Sequence, residues 1–222
     1  RFFAYVFFFP IFLSGPVQKL HDFYPVYINK SGVSKLYLFI VLLILIKLII
    51  LDILLTSTFI LPIRESLLPE ISHAGYFIGS LLLLFHGFVS FLGAYLDMLI
   101  YTQLAISFGR LLGYHVVENF NRPLLATNIA DFWRRWHISL SIWARDYIYL
   151  PLLIKTKRTW VASYATMLTI GLWHSANLNW TVWALSHGTA LNFYSFLKQR
   201  NTYKYLSKSK FGIVFLKITG NF

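Results

Sequence analysis

The sequence contains no cysteine and few charged residues, and both absences restrict what the protein can be. Without cysteine there is no disulfide framework, no cysteine-ligated metal site and no cysteine nucleophile. Charged residues make up 13% of the 222 residues, whereas roughly 25% is usual in water-soluble domains. Hydrophobic residues account for 57% and aromatic residues for 19%. This composition excludes an ordinary soluble domain and predicts a membrane protein.

Acidic residues are the scarcer of the two charged classes. The chain has 20 lysines and arginines but only 8 acidic residues, and 14 of the 20 basic residues lie after Ile100. A nucleic-acid-binding domain would gather this charge on a polar face, but long apolar runs interrupt it here. We therefore expect no nucleic-acid partner. Basic residues on the cytoplasmic side of a lipid bilayer explain both the charge and the apolar runs.

Long apolar stretches predict the membrane segments, since about 20 apolar residues suffice for one crossing. Three stretches lack charged residues and a fourth has only two: residues 2–18, 71–96 and 159–197, and residues 36–63 with Lys47 and Asp52. The last uncharged stretch is long enough for two crossings, with a turn at residues 175–179. The turn would place Lys155 and Lys198 on one cytoplasmic side, together with Arg200 and Lys204. Residues 2–13 are too short to cross and are broken by Pro10, so we expect a re-entrant piece or the end of a span.

Residues 131–150 predict a helix that lies in the membrane interface, because aromatic and apolar residues recur there every three or four positions among arginines. The predicted fold is therefore all-α: a polytopic transmembrane helix bundle with interfacial and re-entrant helices. We expect a single membrane-embedded core over residues 1–222. Because the sequence lacks an initiating Met and apolar pieces reach both ends, we also expect a fragment of a longer multi-pass protein.

Two of the seven histidines are the strongest candidates for chemistry. His174 lies within an uncharged apolar segment, where an ionisable residue is costly to bury and is a functional candidate by default. Neutral imidazole can accept a proton near pH 7, so His174 could act as a general base toward an acceptor hydroxyl. A hydrogen-bonded packing role is the alternative. His137 follows Trp133 to Trp136 in a run that also suits an ordinary interfacial anchor.

Other candidates are weaker. His187 lies on the returning segment and could face His174, although a small-residue helix contact around Gly188 explains it equally well. Arg145 and Asp146 are adjacent, so we expect them to point in different directions and not to pair. No metal site is expected, because the sequence has no His-rich ligand motif, and a serine nucleophile lacks its usual Gly-x-Ser-x-Gly context.

Several motifs in order resemble the membrane-bound O-acyltransferase (MBOAT) family, and within it the alginate O-acetyltransferase group. They are Glu-Asn-Phe-Asn-Arg-Pro at residues 118–123, Asp-Phe-Trp-Arg-Arg-Trp-His-Ile-Ser-Leu-Ser at 131–141, Arg-Asp-Tyr-Ile-Tyr-Leu-Pro-Leu at 145–152, Gly-Leu-Trp-His at 171–174 and Trp-Ala-Leu-Ser-His-Gly at 183–188. Two departures are visible. Ser175 stands where the family usually has glycine, and Leu153 and Ile154 replace glycines.

The resemblance implies a multi-helix acyltransferase in which His174 is catalytic and His137 is the second functional histidine. It implies no bound cofactor, but a thioester acyl donor, acetyl-CoA or an acylated carrier protein, on the cytoplasmic side. The donor's phosphates could be attracted by basic residues that also serve as topology signals, namely Arg134, Arg135, Arg145, Lys155, Lys157 and Arg158. Trp173 and His187 are the further predicted substrate-binding residues.

The expected reaction moves an acetyl group toward an extracytoplasmic polysaccharide hydroxyl or a partner acetyltransferase, in the inner or plasma membrane. Within the family, transfer of D-alanine in teichoic acid modification is the alternative. From a different class, a non-catalytic membrane scaffold or a transporter lined by polar residues would treat both histidine motifs as packing features. That alternative predicts that replacing His174 leaves function intact.

Overall fold

A computed structural model describes residues 2–8, 11, 15–20, 23 and 35–199, and these residues form helices and loops without a strand. The prediction of an all-helical protein is therefore confirmed for the described part of the chain. It divides into two compact units, Arg1–Glu118 and Asn119–Phe222. The principal helices are α1 (Phe2–Val6), α2 (Lys35–Leu51), α3 (Leu61–His73), α4 (Tyr76–Leu111), α5 (Ile129–Arg135), α6 (Ile138–Ala144), α7 (Leu150–Thr156), α8 (Thr159–His174) and α9 (Leu178–Gln199).

The first unit is built on a long helical hairpin. Helices α2 and α3 are joined without interruption by a π-helical stretch, Asp52–Ile60, and α4 returns alongside them. Among the described residues, two stretches are long and apolar enough to cross a membrane, Leu38–His73 and Tyr76–Leu111. Large apolar side chains such as Phe39, Leu84 and Phe88 are exposed along the hairpin, as expected for helices that face lipid.

A small aromatic cluster packs the end of this unit. Phe8 and Phe23 contact Tyr114 with ring centroids 4.7 and 5.2 Å apart, and Ile106 and Val116 are fully buried beside them. The Glu118 carboxylate accepts hydrogen bonds from the side chains of Gln103 and Arg110. These contacts hold the segment that follows α4 against the end of that helix.

The second unit contains the α8–α9 hairpin, and its turn lies where the sequence predicts it. Helix α8 ends at His174 and α9 begins at Leu178. At about 1.5 Å per residue, the 16 residues of α8 span roughly 24 Å, which is less than a hydrocarbon core of about 30 Å. The hairpin is confirmed, and the two crossings stay a prediction.

The prediction of one interfacial helix over residues 131–150 is wrong. The chain forms α5, breaks at Trp136 and His137, forms α6, passes through a π-helical turn at Arg145–Tyr149 and continues as α7. The break arises because His137 has left-handed backbone angles, φ 42° and ψ 54°, which a right-handed helix cannot accommodate. Periodicity alone could not reveal this, since the apolar spacing continues across the break.

Some predictions fall outside the described residues. The piece at residues 2–13 is described only in part, as α1 and three further positions, and the side chain of Asp52 is not described. The basic residues Arg200 and Lys204 also lie outside the described range.

Candidate active site

His174 is the last residue of α8 and stands at the turn of the hairpin. Asn177 organises this turn, because its side-chain oxygen accepts a hydrogen bond from the backbone N–H of Trp180 at 3.0 Å, as a helix N-cap does. The Asn177 side-chain amide also donates to the Ser175 hydroxyl at 3.0 Å. Ser175 itself has extended angles, φ −167° and ψ 136°. Any residue adopts these angles, so serine fits this position of the turn without strain.

Glycine allows the two helices of the hairpin to pack closely below His174. A Cβ atom at Gly171 would lie 2.7 Å from the Trp180 carbonyl oxygen and 2.9 Å from the Ala184 Cβ. Gly188 makes a second close contact, since a Cβ there would lie 2.6 Å from the ring of Tyr164. The small-residue helix contact predicted around Gly188 is thus present, and it brings the α9 tryptophans next to α8.

The His174 imidazole is held by tryptophans but remains exposed. It stacks on Trp180 with centroids 4.4 Å apart and ring planes 13° apart. Trp173 contacts it edge-on at 4.9 Å, and Trp183 lies at 6.4 Å. Stacking restricts the ring while leaving the imidazole accessible, which is the arrangement that a proton acceptor requires.

His137 occupies the helix break and is buried, with 7% of its surface exposed. Its ring packs near Phe120, with centroids 6.4 Å apart. The Nδ1 atom is enclosed and has no hydrogen-bond partner in the part of the chain that the structure describes. A left-handed non-glycine residue costs about 1–3 kcal/mol, so the surrounding contacts must hold His137 in this conformation.

The two histidines are electrostatically coupled. Burial, together with the positive charge of His174, lowers the pKa of His137 to about 4. His137 is therefore neutral at pH 7 in the folded protein. A neutral imidazole within the electrostatic range of His174 can accept or donate a hydrogen bond without adding a second positive charge.

His187 lies behind the same tryptophans. Its ring contacts Trp183 at 4.5 Å and Trp133 at 5.5 Å, and Trp183 in turn contacts His174. His187 thus shares Trp183 with His174. The Nδ1 atom of His187 and the Nε1 atom of Trp133 are both buried without a hydrogen-bond partner in the described residues.

Arg134 and Arg135 converge on one carboxylate. Asp131 accepts from Arg135 Nε at 2.9 Å and from Arg134 Nη2 at 3.1 Å. Asp131 lies in the first turn of α5, where Asn128 caps the helix by accepting from the Asp131 N–H at 2.7 Å. Burial opposes the ionisation of Asp131, but the hydrogen bonds from Arg135, the Thr127 N–H and Arg134 outweigh it and lower its pKa.

The expectation that Arg145 and Asp146 do not pair is wrong. Arg145 Nε donates to Asp146 Oδ1 at 2.8 Å. The two residues lie in the π-helical turn, and the long arginine side chain reaches its neighbour even though the two backbone positions face different directions. Because the pair is exposed, it contributes only about 0–1 kcal/mol.

A cavity of about 280 Å³ lies between α5, α6, α8 and α9. Its apolar wall includes Met167, Ile170 and Leu191, and its polar lining includes Arg145 and Ser195. Trp133 also lines it. Trp133 is therefore shared between the cavity and the aromatic contacts of His187, and it places the cavity next to His187.

The family model for the membrane-bound O-acyltransferase family, MBOAT, matches residues 1–222. The chain belongs to this family. It is 39% identical over 127 residues to a probable alginate O-acetylase from Pseudomonas aeruginosa, an alignment that covers 56% of this chain and 24% of the relative. A teichoic acid D-alanyltransferase from Bacillus subtilis is 31% identical over 154 residues, which are 64% of this chain and 38% of the relative. A peptidoglycan O-acetyltransferase from Helicobacter pylori is 39% identical over 101 residues, 44% and 19% of the two chains.

Membership of this membrane-bound family accounts for the apolar helices, and the three relatives are named as acyl-group or acetyl-group transferases. The aligned parts make up less than two-fifths of those relatives.

In this MBOAT chain, some of the predicted site residues lie close together, whereas others are held in ion pairs. His174, His187 and Trp173 are linked by aromatic contacts through Trp183, and His137 is linked to His174 only by the lowering of its pKa. Arg134 and Arg135 are instead paired with Asp131. Among the described residues, no group of three or more histidine, aspartate or glutamate side chains is arranged to hold a metal ion.

Two residues of the site were not recognised individually from the sequence: Trp180, which stacks on His174, and Asn119, which contacts the break at His137. Trp180 follows His174 by six residues across a turn, and this spacing indicates a contact only once the turn is known.

Proposed function

We propose that this chain forms the core of an integral membrane O-acyltransferase in which His174 acts as general base. The observation that carries this proposal is the environment of His174, an exposed imidazole that stacks on Trp180. The charge of His174 also lowers the pKa of the buried His137. This geometry favours an accessible proton acceptor more than a packing residue. Family membership supports acyl transfer as the reaction class.

The proposed reaction transfers an acetyl group from a cytoplasmic thioester, acetyl-CoA or an acylated carrier protein, to a polysaccharide hydroxyl outside the membrane. His174 takes the proton from the hydroxyl as its oxygen attacks the thioester carbonyl. The carbon–sulfur bond then breaks, and the departing thiolate takes up the proton. His137 assists by hydrogen bonding within the site in its neutral form.

The cavity lined by Trp133 and Arg145 is the proposed approach for the acyl donor. Its apolar wall suits the acyl end, and the Arg145 guanidinium can attract donor phosphates. Arg134 and Arg135 are weaker candidates for this role because they do not line the cavity, although all three arginines are paired with a carboxylate. We place Trp173, which is exposed beside His174, on the acceptor side.

The proposed location is the inner or plasma membrane, which the protein crosses several times. Long apolar helices in the first unit support insertion. A separate acetyltransferase that receives the acetyl group is the proposed partner where the polysaccharide is not modified directly.

D-alanyl transfer is the second candidate. The relative named as a teichoic acid D-alanyltransferase aligns over more residues, 154, than the alginate O-acetylase does, 127, although at lower identity. The two functions differ in the acyl group and share the same histidine chemistry.

The test measures transfer by the full-length protein in membranes, with labelled acetyl-CoA, acetylated carrier protein and D-alanylated carrier protein offered separately. Wild type is compared with His174→Ala and with His73→Ala, a matched control on an exposed position of α3. We expect transfer from an acetyl donor that is lost only in His174→Ala. Transfer from the D-alanyl donor alone would favour the second candidate. Equal rates for wild type and both variants would refute the general-base role.

A further inference from the structure

The Asn119 side chain is buried at the helix break and hydrogen-bonded to the chain that follows His137. Its Oδ1 accepts hydrogen bonds from the Ser139 N–H at 3.1 Å and from the Ser139 hydroxyl at 2.9 Å. Its backbone carbonyl oxygen accepts from the Ile138 N–H at 2.9 Å. Asn119 is 1% exposed and Ser139 is 4% exposed. The two residues directly after His137 are therefore both fixed to Asn119.

Neighbouring contacts extend this attachment to the other side of the break. The Asn121 N–H donates to the Arg135 carbonyl oxygen at 2.9 Å, and Phe120 packs on Trp136 with ring centroids 5.1 Å apart. Residues 119–121 thus run along the break and contact it before and after His137. Without these bonds, a non-glycine residue would favour right-handed angles, and α5 and α6 would merge into one helix.

The direction of the His137 ring depends on these backbone angles. At φ 42° the Cα–Cβ bond leaves the chain in a different direction from that of a right-handed helical residue. A continuous helix would carry the imidazole away from its buried position near Phe120. The bonds made by Asn119 fix the two residues that follow His137 in the broken arrangement.

We propose that Asn119 is a positioning residue that holds His137 in its left-handed conformation, and so keeps the His137 imidazole in its buried position near Phe120. The functional part of this inference rests on the proposed acyl transfer, whereas its structural part does not. Asn119 acts through His137 and is not assigned a contact with substrate.

The first test follows the exposure of each histidine by its rate of modification with diethyl pyrocarbonate, resolved by mass spectrometry, in the full-length protein. In wild type we expect rapid modification of His174 and slow modification of His137. Asn119→Ala should raise the His137 rate at least fivefold while His73 is unchanged. Asn192→Ala is the matched control, because its side chain makes one hydrogen bond within α9 to the Gly188 carbonyl oxygen. Unchanged protection of His137 in Asn119→Ala would overturn the proposal.

The second test measures transfer with the labelled donor that wild type uses. Asn119→Ala should lower kcat at least tenfold with little change in the donor KM, because a small displacement of a site residue is costly to rate. In the His137→Ala background the same substitution should cause no further loss. Equal losses in both backgrounds would show that Asn119 acts independently of His137 and would overturn the proposal.

A milder variant covers the case in which Asn119→Ala does not fold. Ser139→Ala removes only the hydroxyl bond to Asn119 and keeps the backbone bonds, so it should raise the His137 modification rate by a smaller factor. If His174→Ala transfers normally, the proposed function fails, and the modification rates still decide whether Asn119 positions His137. If transfer depends on His174 but the His137 rates do not respond to either variant, the inference about Asn119 alone fails.

Discussion

Replacing Gly171 with alanine should separate the helices that support His174. The added Cβ would lie 2.7 Å from the Trp180 carbonyl oxygen, whereas an ordinary contact is about 3.5 Å. The opposing atoms belong to the backbone of α9 and to Ala184 Cβ. Neither can turn aside, so the helices must move apart by roughly 0.8 Å. Overpacking of this kind typically costs about 1–3 kcal/mol.

Gly87→Ala is the matched control, because a Cβ atom at Gly87 would have no heavy atom within 4 Å. Within a helix that change removes a glycine penalty of about 1 kcal/mol. Thermal unfolding in detergent should therefore show a lower Tm for Gly171→Ala and an equal or higher Tm for Gly87→Ala. Trp180 fluorescence, isolated in a background with the other tryptophans replaced by phenylalanine, should change only in the Gly171 variant. Equal Tm values and unchanged fluorescence would refute this account of the hairpin.

Two further predictions concern the titrating groups of the second unit. Folding lowers the pKa of His137 from about 6.5 to about 4. Between these values the unfolded chain binds the proton more readily than the folded protein does. The free energy of unfolding is therefore greatest above pH 6.5 and falls by on the order of 3 kcal/mol as the pH is lowered toward 4. His137→Gln should flatten that part of a Tm-against-pH curve; an unchanged curve would contradict the burial of His137. Asp131→Asn should lower the free energy of unfolding by about 1–3 kcal/mol in thermal unfolding, since it breaks both arginine pairs. Arg135→Ala should lower it more than Arg134→Ala does, because Arg134 is the more exposed of the two partners. A larger loss for Arg134→Ala would contradict this ranking.

The helical hairpin at residues 159–197 could be predicted from the sequence because its signals are local. An uncharged apolar run set the length, and the polar residues at 175–179 marked the turn. The same local reasoning gave a small-residue contact at Gly188 as one of two explanations, and the close packing of Tyr164 against Gly188 is such a contact. The tight contact at Gly171 was not predicted, since it depends on the register between two helices.

The helix break at His137 could not be predicted, because the groups that stabilise it are distant in sequence. Its hydrogen bonds come from Asn119, 20 residues before Ser139. Apolar periodicity across residues 131–150 is the same for one continuous helix and for the broken arrangement. The Arg145–Asp146 pair was missed for a different reason: backbone direction does not determine where the end of a long, flexible side chain lies.

The most direct test of the central claim is the single-turnover rate of acetyl transfer by His174→Ala, measured in membranes at an abundance matched to wild type. General-base catalysis contributes about 10²–10⁴-fold, so we predict a fall in rate of at least 100-fold with donor binding retained. His73→Ala, at an exposed position away from the tryptophans that contact His174, should keep the wild-type rate. A His174→Ala rate within twofold of wild type would contradict the assignment of His174 as the general base.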